Sequence, residues 1–171
     1  MTSENPLGAD NQQERLETIG WIVGFTDGEG CFSVSIFKNR TSKLGWQVMP
    51  EFVLTQGKSS LNVLEETQSF FDCGKIFINK RYDNHHEHLY RYCVRNRRDL
   101  NKIIVPFFQQ YQLRTSKRQN FERFCQVLSL MDQKEHLNKT GLHKIAKLVG
   151  KQLPQESSHT IRQGHLTVDK I

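Results

Sequence analysis

The sequence predicts an α+β domain built on one four-stranded antiparallel sheet with helices over one face. Three observations predict it. Two pairs of segments alternate apolar and polar side chains at a period of two, a helical segment separates the pairs, and helical-period segments precede and follow them. The order is αββαββα with a further helix, and one sheet with its apolar face covered accounts for it. The chain of 171 residues is long enough for one domain with a sizeable core.

In order along the chain, residues 1–9 read as a flexible arm. Asp10 with Gln13 three positions on is a capping arrangement for a helix running to about Asp27, with Leu16, Ile19, Ile22, Val23 and Phe25 as its apolar residues. Gly20 and Gly24 share a face of that helix. Each costs about 1 kcal/mol in a helix interior, a cost that close approach of a second helix explains.

"CFSVSIFKN" then sets Phe32, Val34 and Ile36 against Ser33, Ser35, Phe37 and Asn39. "WQVMPEFVLTQ" sets Trp46, Val48, Phe52 and Leu54 against Gln47, Met49, Glu51, Val53 and Thr55, with Pro50 arguing for an edge or a bulge. "KSSLNVLEETQSFFDCG" reads as helix with Gly74 as its stop. "KIFINKRY" and "EHLYRYCVRN" form the second strand pair, with Tyr90, Tyr92 and Val94 toward the core and Arg91 and Arg95 outward. "RRDLNKIIVPFFQQY" is helical until Pro106 interrupts it. "SKRQNFERFCQVLSLM" and "LNKTGLHKIAKLVGKQL" are the closing helices. Residues 10–153 form the domain, and 154–171 are polar and unpatterned, a mobile tail.

The composition is that of a soluble protein, with 36% hydrophobic and 25% charged residues. No apolar run nears the roughly 20 residues of a membrane span, so no membrane partner is expected. The Asn/Gln-rich start resembles neither a secretory signal nor an Arg-rich transit peptide. A protein of the bacterial cytoplasm or of an organellar matrix or stroma, not secreted, is expected. Cys31, Cys73, Cys93 and Cys125 are scattered without a CxxC pair, which fits buried free thiols.

The net charge is +6, and between Lys75 and Arg123 twelve Lys/Arg face four Asp/Glu. Such a segment suits a polyanion. The uncovered sheet face carries Ser33, Ser35, Asn39, Gln47, Glu51, Lys75, Asn79, Arg81 and Arg91, hydrogen-bonding groups two apart, with Phe37, Met49, Val53 and Phe77 among them. A curved ribbon of this kind can enter a DNA major groove and read base edges. "HHEH" (His85, His86, Glu87, His88) falls in a hairpin tip without a Cys or His partner at useful spacing, so an ordinary polar tip rather than a metal site is expected, with contacts to a phosphate backbone open to it.

The helix end "TDGEG" is the least ordinary stretch. Glu29 is expected just past the helix C-terminus, where the dipole disfavours negative charge, with the glycines turning the chain left-handed and baring its carbonyls. A carboxylate and a free carbonyl are hard oxygen donors of the kind Mg²⁺ takes. A bound cation would reverse the electrostatic objection. A bare DGEG is more often just a turn; the surrounding helix and strand make this one specific.

"IVGFTDGEG" (Ile22 to Gly30), with Phe32 after it, resembles the LAGLIDADG motif of homing endonucleases in its "GFxDGEGxF" form. The likeness extends over roughly residues 14–150, through both strand pairs, "LRTSKRQNFERF" and "LNKTGLHKI". It implies a saddle-shaped sheet astride double-stranded DNA and a motif helix that packs two half-sites together through Gly24 and its neighbours Gly20, Val23 and Asp27. It further implies Glu29 as metal ligand, the Gly28 carbonyl as a second, and Asp27 as an acid of helix-end structure. Gln56 matches the polar group that orients the attacking water, and Lys117 the lysine over the phosphate, with Arg114 and Arg118 as rivals. Where relatives carry an arginine shortly after the glutamine, this chain offers Lys58 or Ser60.

One motif copy implies a homodimer that reads a long pseudo-palindromic target and leaves short 3′ overhangs. Mg²⁺ is the implied cofactor, with Mn²⁺ substituting and Ca²⁺ supporting binding without cleavage. The alternative is an RNA maturase, or a DNA-binding protein that kept the scaffold and lost cleavage.

Overall fold

The computed structural model describes residues 6–80 and 88–153, with side chains from residue 12 onward. Helix α1 (Pro6–Glu29) leads into strands β1 (Cys31–Lys38) and β2 (Trp46–Gly57), then helix α2 (Leu61–Phe71) and strands β3 (Lys75–Asn79) and β4 (Leu89–Val94). A helical run follows as α3 (Arg97–Asp99), a π-helical stretch Leu100–Ile104 and α4 (Val105–Gln110), and the chain closes with α5 (Lys117–Asp132) and α6 (Lys139–Leu148). All strand pairs are antiparallel, in the order β1-β2-β4-β3, so the two hairpins join through β2 and β4. The expected α+β architecture is the one observed.

Register sorts the side chains. Ser33 faces Glu51, Ser35 faces Met49 and Phe37 faces Gln47, while Thr55 faces Arg91 and Arg91 faces Phe77. Successive side chains in a strand point to opposite faces. These residues therefore share one face, and Phe32, Phe52, Leu54, Tyr92 and Val94 share the other. The second face is covered by the helices in an aromatic-rich core. Phe32 stacks on Phe52 at 5.1 Å and meets Phe108, Phe121 and Phe124 edge-on or tilted within 5.5 Å. Phe52 is fully buried and touches Phe71, Tyr92 and Phe108 as well. Removing its ring leaves a cavity that rigid sheet and helix cannot close, so Phe52→Ala is expected to cost about 3–5 kcal/mol. Urea unfolding measures this, and a loss under 1 kcal/mol would mean that the core is not packed this way.

Pro50 illustrates the edge argument. Its strand is interior, yet β4 pairs with β2 only from Phe52 onward. At Pro50 the strand has the single neighbour β1, opposite Val34.

Four sequence expectations need correction. Helix α1 begins at Pro6, not at Asp10, so residues 6–9 are not arm; proline suits a first helical turn because its missing N–H has no partner there in any case. The helix also runs two residues beyond Asp27, so Glu29 is its last residue rather than the first past it. Pro106 does not end its helix. The π-helical turn at Leu100–Ile104 loosens the backbone just where a proline ring would strike the carbonyl four residues earlier, and α4 continues to Gln110. Finally, the four cysteines are free as expected, but only Cys93 is buried; Cys31 is exposed. No helix among the described residues is long and apolar enough to cross a membrane. Arg81, His85, His86 and Glu87 lie outside the described residues, as does the 154–171 segment.

Candidate active site and nucleic-acid face

The end of α1 is a junction of three short segments. Gly30 closes it by donating its N–H to the Thr26 carbonyl at 2.9 Å. A Cβ at Gly30 would lie 2.6 Å from the Thr26 methyl and 2.7 Å from its carbonyl oxygen. The glycine is there for this close approach. The left-handed turn expected from the sequence is absent: neither Gly28 nor Gly30 has a positive φ.

Asp27 is turned toward its own chain. Its Oδ2 accepts the Arg114 N–H at 2.8 Å, and its Oδ1 accepts the Thr115 N–H at 3.1 Å and the Thr115 hydroxyl at 2.8 Å. The Thr115 hydroxyl oxygen in turn accepts the Lys117 N–H at 3.3 Å. Asp27 thus clamps the turn before α5 to the end of α1. The Lys117 ammonium then reaches the Gly28 carbonyl at 2.6 Å. Of the three rival cations, Arg114 contributes its backbone to the clamp, and Arg118 pairs along its own helix with Glu122 at 3.2 Å. Only Lys117 brings its charged group to the helix end.

Burial by itself would raise the Asp27 pKa. The Arg114 and Thr115 hydrogen bonds and the Lys117 charge outweigh it and hold the carboxyl below its ordinary value. A depressed native pKa stabilises the fold above the unfolded value, and that contribution disappears as pH falls through the native one. Asp27→Asn is therefore expected to lower Tm at pH 7 and to flatten the loss of Tm below about pH 4. An acid limb identical to that of the parent protein would show that the clamp does not carry this linkage.

Glu29 and Gly28 are both exposed, and the Gly28 carbonyl is the one that Lys117 reaches. Both are hard oxygen donors, and the pair fits a divalent cation that completes its shell with water or phosphate oxygens. Among the described residues no cluster of three His, Cys, Asp or Glu side chains could hold a metal without such outside ligands. Gln56, one residue before the end of β2, is half-buried on the helix-covered face opposite Tyr90, and no hydrogen bond among the described residues ties it to the helix end. Lys58 and Ser60 fall in the turn just after it.

Along α1, Gly20, Gly24 and Gly28 form an exposed stripe; a Cβ at any of them would meet nothing within 4 Å. Leu16, half exposed, extends it. Beside it lies an open groove of about 450 Å³ lined by Ile19, Val23, Tyr111 and Arg114 with Gly20 and Gly24.

On the open sheet face, Phe37, Gln47, Lys75, Phe77 and Asn79 are exposed and Ser33, Ser35, Asn39, Met49 and Arg91 are half-buried. Asn39 donates to Gln47 at 2.7 Å and accepts from Thr41, ordering the β1–β2 turn. Two of the expected reading residues are different: Val53 and Glu51 are only 4% and 7% exposed. Glu51 is engaged by Arg95, a residue that the sequence placed outward without assigning it a contact.

A profile of the LAGLIDADG endonucleases matches residues 22–128, more than half of the chain. The chain belongs to the LAGLIDADG endonuclease family. It is 35% identical over 125 residues to probable intron-encoded endonuclease 2 of Neurospora crassa, covering 73% of this chain and 27% of that one. To DNA endonuclease I-CeuI of Chlamydomonas moewusii it is 29% identical over 145 residues, covering 85% and 63%. The chain thus spans about a quarter of the length of the Neurospora relative. Among solved structures, the homing endonuclease I-TnaI aligns with a TM-score of 0.68 at 39% identity over 80% of this chain and 89% of its own. I-SmaMI, crystallised on cleaved DNA, aligns with a TM-score of 0.70 at 32% identity over 77% of this chain and 42% of its own.

Proposed function

We propose that this chain is a site-specific double-strand DNA endonuclease that binds a long pseudo-palindromic target as a homodimer and hydrolyses both strands, leaving short 3′ overhangs. The observation that carries the reading is the helix end, where the Lys117 ammonium meets the Gly28 carbonyl at 2.6 Å, next in sequence to the exposed Glu29 and on an exposed glycine stripe. Relatives support it: I-SmaMI has been crystallised with cleaved DNA and, in the presence of calcium ions, with its uncleaved target.

Two α1 helices packed along Gly20, Val23 and Gly24 would bring two Glu29 side chains near a dyad. Their repulsion calls for cations there. Glu29 and the Gly28 carbonyl would hold Mg²⁺, or Mn²⁺ in its place, with Ca²⁺ supporting binding but not cutting. When bound, such an ion activates water for in-line attack and stabilises charge at the phosphate. Lys117, which now holds the Gly28 oxygen, would release it where a divalent cation is bound, since two like charges repel at one acceptor. Its freed ammonium is a point charge suited to a phosphate. Gln56 orients the attacking water. The open sheet face, with Ser33, Ser35, Phe37, Asn39, Gln47, Met49, Lys75, Phe77, Asn79 and Arg91, lies in the major groove.

The deciding experiment is cleavage of a randomised duplex library in Mg²⁺, beside Ca²⁺ and EDTA controls, with the cut ends sequenced. Ends that converge on one pseudo-palindromic site in Mg²⁺ alone are the expected result. A library that is retained but never cut would turn the reading to a maturase or a binding protein.

A further inference from the structure

Among the described residues, Glu51 is the only charged side chain that is buried, and it lies on the sheet face that is otherwise open. Taking a carboxylate out of water costs several kcal/mol unless partners replace the lost hydration. Glu51 has three. Its Oε2 accepts from Arg95 Nε at 2.8 Å, and its Oε1 accepts from Arg91 Nη2 at 3.4 Å and from the Ser33 hydroxyl at 3.3 Å. Arg95 is fixed a second way, with its guanidinium carbon 5.4 Å from the centre of the Phe77 ring. The fold alone does not require this arrangement. An apolar residue at position 51 would sit beside Val53 and Cys93, both buried on this face, without any desolvation cost.

The arrangement has a directional consequence. With Nε on Glu51 and its face near Phe77, the Arg95 guanidinium keeps its two terminal nitrogens for a ligand while 44% of its side chain is exposed. Those nitrogens form a parallel pair of donors that matches O6 and N7 of guanine. A phosphate would accept the same fork, but the setting disfavours it. A carboxylate directly beneath the arginines reduces their net charge from two to one, which weakens attraction for the polyanionic backbone while leaving hydrogen-bond direction intact.

We propose that Arg95 reads a guanine in the major groove of each half-site, and that Glu51 is the positioning residue that holds it to that task. The inference rests on the DNA-cleaving reading above and adds a specificity residue to it. It reassigns Glu51 from direct contact with a base to the support of one.

The test is base preference measured by binding of the full chain to a randomised duplex library in Ca²⁺, for the parent protein and for Arg95→Lys, Arg95→Ala and Glu51→Gln. The parent is expected to select guanine at one position per half-site that both Arg95 variants lose by about tenfold, other positions being unchanged. Glu51→Gln should relax the same position while binding random duplex at least as well, since it removes a negative charge. Arg95→Lys retains the charge, so it separates loss of the fork from loss of fold, and thermal melting of each variant verifies folding. The inference is overturned if the Arg95 variants keep every base preference. It is also overturned if Arg95→Ala weakens all sequences equally and lowers the salt slope by about one, the signature of a phosphate contact. A parent protein that selects no sequence at all would overturn the DNA-reading function itself, an outcome distinct from the loss of one position in a variant.

Discussion

Glu29→Gln is expected to lower the single-turnover cleavage rate at least about a thousandfold, because stabilisation worth several kcal/mol is removed and each 1.36 kcal/mol is a factor of ten. The substitution is nearly isosteric, and Glu29 is exposed at the end of α1, so the fold should be untouched. An amide keeps an oxygen toward a cation but loses the charge that attracts it. Binding of the uncut target should persist or tighten, since in the proposed homodimer two negative charges would leave a dyad that faces phosphates. Rapid-quench cleavage and gel retardation, run on the same target, separate the two effects. Undiminished cutting would remove Glu29 from the mechanism.

Gly24→Leu should turn a dimer into single chains without unfolding them. Its Cβ meets nothing within 4 Å inside the monomer, and leucine is a better helix former than glycine by up to about 1 kcal/mol. The separated chains should therefore stay folded and melt cooperatively, with a Tm that no longer depends on protein concentration. Between two α1 helices the same side chain would hold the backbones apart, and cutting should be lost with the dimer. Sedimentation equilibrium gives the mass directly. A dimer mass unchanged in Gly24→Leu would place the interface elsewhere. Gly30→Ala supplies the contrast: its Cβ would strike Thr26 within the same chain, so that variant should lose stability as a monomer.

Why some features were legible and others were not follows from the range of the forces involved. Strand alternation, the helix that parts the two hairpins and the cluster of acids and glycines at Asp27–Gly30 are local patterns. Each depends on neighbours a few positions away, so the sequence by itself determined the α+β class, the two sheet faces and the motif that marks the family. Local patterning could not say that Pro106 would be absorbed, because the π turn before it depends on how Leu100, Ile104 and Phe108 seat in the core. Nor could it say why Gly30 is glycine, a matter of its clearance from Thr26 rather than of φ. That Lys117, and not the Arg114 or Arg118 side chain, lies on the Gly28 carbonyl was visible only in the tertiary structure, where an aspartate 88 positions before the threonine it holds fixes the turn before α5. The Glu51–Arg95 brace joins residues 44 apart across two strands, and burial gave the carboxylate its role. Alternation placed both on the open face. Only packing showed that one lies under the other, because desolvation and ion pairing are set by what surrounds a group in space and not by its neighbours in the chain.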